Sequence, residues 1–195
     1  MTSGPRHEVR AEQPYVAIPA KVTPRERPKA AALVTEVQDW LHGAGVSAAG
    51  PPFFRYWTIG GGEREHILEV GAPVGEPVPG DGRVVAGSVP AGDYVALVHT
   101  GDPERIDGAH ARLQSWASDR GLAWMNRGQG GNEVWGGRFE FYLDGPVRAR
   151  GHDCSVEIAY LVRGADHPTG GAAPRLPGPR TGRSPAGDRP DGRGG

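Results

Sequence analysis

Apolar residues along this chain change their spacing in a regular order, and the order predicts alternating strands and helices. From 14 to 20, Tyr15, Ala17 and Pro19 alternate with Val16 and Ile18, the period-two pattern of a strand. From 29 to 42, Ala30, Leu33, Val34, Val37, Trp40 and Leu41 recur at three and four, which is an amphipathic helix stopped by Gly43 and Gly45. Strands follow at 53–57 and 65–70, on either side of Gly60-Gly61-Gly62. A Pro- and Gly-rich connector at 75–82 leads to strands at 83–89 and 93–100, with Pro90-Ala91-Gly92 between them as a hairpin turn. A second helix spans 103–120, with Ile106, Ala109, His110, Leu113, Trp116 and Ala117 on one face. Asp102 supplies its N-cap and Pro103 its first position. The last strands are 135–143 and 154–162.

The same succession occurs twice. Tyr15-Val16-Ala17-Ile18 matches Tyr94-Val95-Ala96-Leu97, Val37-Gln38-Asp39-Trp40 matches Leu113-Gln114-Ser115-Trp116, and Gly45-Val46 matches Gly121-Leu122. The tyrosines lie 79 residues apart, and the tryptophans and closing glycines 76. Each copy ends in a strand with a glutamate between apolar residues, Leu68-Glu69-Val70 and Val156-Glu157-Ile158. Two copies are too few for a solenoid. They predict an α+β fold: duplicated strand–helix–strand–strand modules related by a pseudo-two-fold, a mainly antiparallel sheet, and a central cleft.

Composition divides the chain. Residues 1–13 form a polar N-terminal arm, 14–163 hold the core, and 164–195 are a Gly-, Pro- and Arg-rich tail with Leu176 as its only large aliphatic residue. Such a tail buries too little apolar surface to offset chain entropy, so it is expected to be disordered. It carries five Arg and three Asp, a net +2. With −1 for the whole chain, −3 remains for the rest, which speaks against a nucleic-acid surface. Cys154 is the single cysteine, there is no apolar N-terminal leader, and no apolar run approaches the ~20 residues that span a bilayer. The expectation is a cytoplasmic protein without membrane contact.

The candidate chemistry follows from parity. In the last strand Val156, Ile158, Tyr160 and Val162 share one face, and Glu157, Ala159 and Leu161 the other. If the first set packs under a helix, Glu157 faces the cleft, as a carboxylate that needs a partner or a cationic ligand. The competing reading is a surface glutamate or a partner for Arg138. Glu69 is its repeat mate. Tyr56, Trp57, Trp135, Phe139 and Tyr142 lie on strands at the expected cleft and suit flat aromatic or cationic ligands. Trp40 and Trp116 read as core. His152-Asp153-Cys154 lacks the second ligand pair of a zinc site, and neither glycine run has the lysine of a phosphate loop. No metal or cofactor is expected.

Several strings taken in order resemble the GyrI-like (gyrase-inhibitor-like) small-molecule-binding domain. They are Phe53-Phe54-Arg55-Tyr56, Leu68-Glu69-Val70-Gly71-Ala72-Pro73-Val74, Val89-Pro90-Ala91-Gly92-Asp93-Tyr94-Val95-Ala96-Leu97-Val98-His99-Thr100-Gly101, Gly137-Arg138-Phe139-Glu140-Phe141-Tyr142-Leu143 and Glu157-Ile158-Ala159-Tyr160-Leu161. This is the effector module of many AraC-type and MerR-type regulators. The resemblance runs from about Pro14 to Val162 and implies paired modules with a ligand cleft between them. It also implies that Glu157, matching a buried glutamate of multidrug-sensing members, meets an aromatic cation. Some stand-alone members resemble hydrolases that open strained rings of DNA-alkylating natural products, and there too Glu157 is the position carried over. The regulators' helix–turn–helix finds no match in this sequence, so direct DNA binding is not expected. Three functions follow: a stand-alone binding module for sensing, sequestration or drug resistance; a detoxifying hydrolase; and, from the family's name alone, a gyrase modulator.

Overall fold

The computed structural model describes residues 3–61, 64–128, 133–145 and 153–164. Among these residues ten strands and two α-helices occur in the order β1 (Arg6–Arg10), β2 (Gln13–Val22), α1 (Arg27–Gly43), β3 (Phe53–Thr58), β4 (His66–Pro73), β5 (Val85–Val89), β6 (Gly92–Gly101), α2 (Ile106–Ser118), β7 (Asn126–Arg127), β8 (Val134–Trp135), β9 (Arg138–Tyr142) and β10 (Cys154–Leu161). The class is α+β, with a mainly antiparallel sheet curled into a half-barrel.

Both copies of the repeat close their helices in the same way. In α1 the Gly45 N–H donates to the His42 carbonyl and the Val46 N–H to the Leu41 carbonyl, with Gly45 at φ 68°. In α2 the Gly121 N–H donates to Ser118 and the Leu122 N–H to Ala117, with Gly121 at φ 65°. These are paired Schellman caps, which need a residue without a Cβ at the left-handed position. Asp102 caps the turn before α2 by accepting from the Glu104 N–H.

The strand order β1-β6-β10-β9-β3-β4-β2-β5 makes the duplication visible. β2, β4 and β3 of the first copy mirror β6, β10 and β9 of the second, and the two triplets meet where β3 pairs β9 through Phe53↔Phe141, Phe54↔Glu140 and Arg55↔Phe139. α1 packs on β2 and β4, and α2 on β6. The helix side of the sheet buries Val34, Phe54, Leu68, Val70, Leu113, Val156, Ile158 and Tyr160, with a further cluster of Val16, Ile18, Val37, Leu41 and Ala72 under α1. The other side has its own apolar cluster of Tyr15, Phe53, Tyr94, Phe139, Phe141, Ala159 and Leu161. Every fully two-sided strand must be apolar on both parities, which is why β3 reads almost without alternation.

The structure corrects four expectations. Arg6–Arg10 is an edge strand on β6, with Arg6↔Ala96 through Arg10↔Gly92, where a polar arm was expected. Pro90-Ala91-Gly92 is not a hairpin turn: β5 pairs β2 and β6 pairs β1 and β10, so this short link carries the chain from one half to the other. The strand expected over 135–143 breaks at Gly136-Gly137, because Gly137 passes so close to Leu161 that a Cβ would sit 2.8 Å from the Leu161 Cβ. Trp40 and Trp116 are half-buried, one donating its indole N–H to Asp81 and the other stacked under Arg120. Among the described residues no helix is long and apolar enough to cross a membrane. The expected disordered tail lies outside the described residues except for Gly164, as do His152 and most of the second glycine run.

Candidate ligand-binding site

The seven residues singled out by sequence divide between the two faces of the sheet. Tyr56, Trp135 and Tyr142 lie on the helix side, in the core cluster between α1 and α2. Glu157, Glu69, Trp57 and Phe139 have the opposite parity, by their positions in β10, β4, β3 and β9. Glu157 does face away from α2, as its neighbours Val156 and Ile158 require. There it lies beneath β1, ion-paired to Arg6 at 2.5 Å and Arg10 at 2.8 Å. The expected apolar cleft floor is thus replaced by two arginines that the edge strand brings. Arg138 lies on the other face and is not its partner.

Glu69 is buried on the same side. It accepts from the Tyr15 hydroxyl at 2.5 Å, and that hydroxyl in turn accepts from Arg55 at 2.6 Å. Arg55 also donates to the Ser88 and Gly136 carbonyls and stacks on Trp57 at 3.9 Å. This buried chain ties β2, β3, β4 and the β8–β9 link together. Burial pushes the Tyr15 phenol well up.

The concentrated polar chemistry lies at the seam between the helices and centres on Glu140. This carboxylate is 3% exposed in β9, next to the join with β3. Each helix sends it a partner. Arg27, the first residue of α1, donates at 2.6 Å, and His110 from α2 contacts it at 2.9 Å. The Tyr142 hydroxyl donates at 2.8 Å to the oxygen that Arg27 holds. Burial alone would raise this carboxyl; Arg27, then His110, and the Tyr142 hydroxyl overcome that and hold it well below the usual range. An ionised carboxylate only accepts, so the His110 Nε2 carries the proton in this contact. In the neutral ring Nδ1 then accepts from the Tyr160 hydroxyl at 2.8 Å. A hydrogen-bonded line therefore runs Tyr160–His110–Glu140–Arg27 across the seam.

Aromatic rings surround this line. Trp135 and Tyr160 are 5.3 Å apart, Trp124 and Tyr160 5.2 Å, and Phe54 and Tyr142 5.0 Å. Arg138, two residues before Glu140 on the same face, lays its guanidinium over Tyr160 at 4.7 Å, Trp135 at 4.9 Å and Tyr56 at 5.9 Å. His66 stands edge-on to Tyr56, and burial, with the positive charges of Arg138 and Arg27, pushes its imidazole down. No three His, Cys, Asp or Glu side chains among the described residues converge as a metal site. A separate surface hollow of about 560 Å³ lies beyond the start of α2, lined by His99, Asp102, Arg105, Arg112 and Asp153. It has both charge signs and no Phe, Tyr or Trp ring, unlike the seam.

The seam residues missed by sequence reading are Glu140, Arg27, His110 and Tyr160. A signal for Glu140 was present: Arg138, Glu140 and Tyr142 alternate with Phe139 and Phe141 in one strand. The repeat match drew attention to Glu69 and Glu157 instead, whereas β3, the counterpart of β9, carries no carboxylate. Arg27 and His110 come from distant elements and leave no local pattern.

The sequence matches no protein-family model and no curated protein. Solved structures share the fold. The EcmrR C-terminal domain superposes with a TM-score of 0.65 at 18% identity over 82% of this chain and 96% of its own. In the EcmrR–DNA complex the TM-score is 0.66 at 17% identity, and the match covers 83% of this chain but 57% of that one. Two Listeria innocua proteins also match. An uncharacterised conserved protein has a TM-score of 0.57 at 13% identity over 82% of this chain and 92% of its own, and a hydrolase has 0.52 at 12% over the same shares. At these identities the likeness is one of fold.

Proposed function

We propose that this chain is a small-molecule-binding protein of the GyrI-like kind, and that its ligand is a flat, amphipathic aromatic compound held at the seam between α1 and α2. The observation that carries this reading is the ionised, buried Glu140, held by one side chain from each helix and bordered by Tyr56, Trp135, Tyr142 and Tyr160. A buried ion pair is weak ground for stability, since apolar residues of the same volume often stabilise as well or better. A polar centre with a strongly shifted group among aromatic rings, between two repeated modules, is the arrangement expected of a binding site. The resemblance read from the sequence and the fold shared with the EcmrR C-terminal domain point the same way.

The geometry favours binding over hydrolysis. A general base or acid works best with a pKa near the working pH. Both Glu140 oxygens are already engaged, one by Arg27 and the Tyr142 hydroxyl and the other by His110, and these partners hold its pKa down, so it acts as a fixed charge that orients His110 and Arg27. Titration with flat aromatic compounds, followed by the fluorescence of Trp135 and Trp124 and by calorimetry, tests the reading. Saturable quenching that is lost in Trp135→Phe is expected. Absence of heat and of quenching across such a panel would remove the proposal.

A further inference from the structure

Resting on that reading, we infer that the ligand's polar group is an anion, and that Arg138 receives it: the seam is built for a planar aromatic carboxylate. The carboxylate already present is answered. Glu140 has Arg27, His110 and Tyr142 around it, so an incoming cation would have to displace Arg27 to reach it. Arg138 is the unanswered charge. Among the described residues its guanidinium has no carboxylate and no hydrogen-bond acceptor, its Nε is buried without a partner, and three aromatic faces hold it in place. A buried donor left unpaired is costly, and cation–π contact compensates only in part.

The charges at the seam add in the same direction. Arg27 and Arg138 stand against the one buried carboxylate of the seam, Glu140, an excess of one positive charge with both histidines neutral and before the exposed Asp107 is counted. Asp107, exposed at the start of α2, is a further acid near His66, and among the described residues it makes no ion pair with Arg138. Geometry supplies the rest. A planar guanidinium lying over Trp135 and Tyr160 can take a carboxylate on its two-pronged edge, while the ligand ring packs beside those rings. Arg27 is 39% exposed, and Glu140 would keep His110 and Tyr142 if Arg27 turned toward the same anion.

The test is a matched trio on one ring system: 2-naphthoate, the neutral 2-naphthamide and the cationic 2-naphthylmethylammonium, titrated calorimetrically into the full chain. The naphthoate is expected to bind at least about 10-fold more tightly than the amide, and the ammonium more weakly than either. Raising salt should weaken the naphthoate selectively. In Arg138→Gln, checked for folding by its melting curve, the gap between naphthoate and amide should close. The wild-type trio decides the matter even if that variant does not fold. An ammonium that binds best, or a naphthoate preference that persists in folded Arg138→Gln, overturns the anion assignment and leaves the aromatic site standing. Binding of none of the three overturns both.

Discussion

Replacing Glu140 by Gln and by Leu should separate the two roles of this carboxylate. The two Glu140 oxygens are used differently: one accepts from Arg27 and from the Tyr142 hydroxyl, the other faces the His110 Nε2. A glutamine can keep the first as its carbonyl oxygen and turn its NH₂ toward His110. The imidazole then accepts at Nε2, moves its proton to Nδ1 and donates to Tyr160. The Glu140, Arg27, Tyr142 and His110 contacts all survive, the Tyr160 hydroxyl gives up its acceptor at His110 Nδ1, and the main loss is the charge assistance, about 1–2 kcal/mol. Leucine leaves His110 and the Tyr142 hydroxyl without their partner, a loss of about 3–5 kcal/mol. For a domain of this size that is roughly 2–8 °C of melting temperature for Gln and 6–20 °C for Leu. The pH dependence gives the sharper reading. The folded pKa of Glu140 lies below its unfolded value, so its stabilisation is complete above the ordinary carboxylate value of 4.5 and is lost as pH falls toward the folded one. The difference between wild type and Glu140→Gln should therefore be constant from pH 7 to 5 and shrink by up to about 1.4 kcal/mol per pH unit below that. Thermal melts of the three proteins at pH 7, 5, 4 and 3 measure this. Equal losses for Gln and Leu, or a wild-type–Gln gap that does not change with pH, would refute the reasoning.

Three further outcomes are expected. Tyr15→Phe removes the hydroxyl between Arg55 and Glu69 and should cost about 1.5–3 kcal/mol in denaturant unfolding, because Glu69 then loses a buried donor. Glu157→Gln should change stability by no more than ~1 kcal/mol, since Arg6 and Arg10 remain partly in water, and should leave aromatic-ligand affinity within error by calorimetry. Gly87→Ala should lower the unfolding midpoint by the equivalent of about 1–3 kcal/mol, because the new Cβ would lie 2.5 Å from the Tyr15 ring; an unchanged midpoint would show that this ring can move aside.

The duplicated modules and both helices were legible because burial on one face imposes a period, and the paired glycine caps repeat with it. Tyr15 and Tyr94, matched in sequence, are both buried at equivalent places in β2 and β6. What was not legible is which edge meets which. The link at Pro90-Ala91-Gly92 has the composition of a turn, yet sheet curvature, which no local pattern encodes, makes it a crossing between halves. The candidate site was half legible for the same reason. Strand parity places Tyr56 and Tyr142 on one face and Glu157 on the other, but only the pairing of β1 with β6 puts Arg6 and Arg10 over Glu157. His110 reads as one more member of an apolar helix face, since only β9 shows that a carboxylate waits beneath it.

The placement of β1 and β5 means that the two modules clasp one another. β1 precedes the first module yet pairs with β6 of the second, and β5 follows the connector yet pairs with β2 of the first. A chain cut within 75–82 would yield two fragments that each carry the other's outermost strand. Neither piece is a self-sufficient half. Each is a template with a missing edge, and reassociation restores both edges at once.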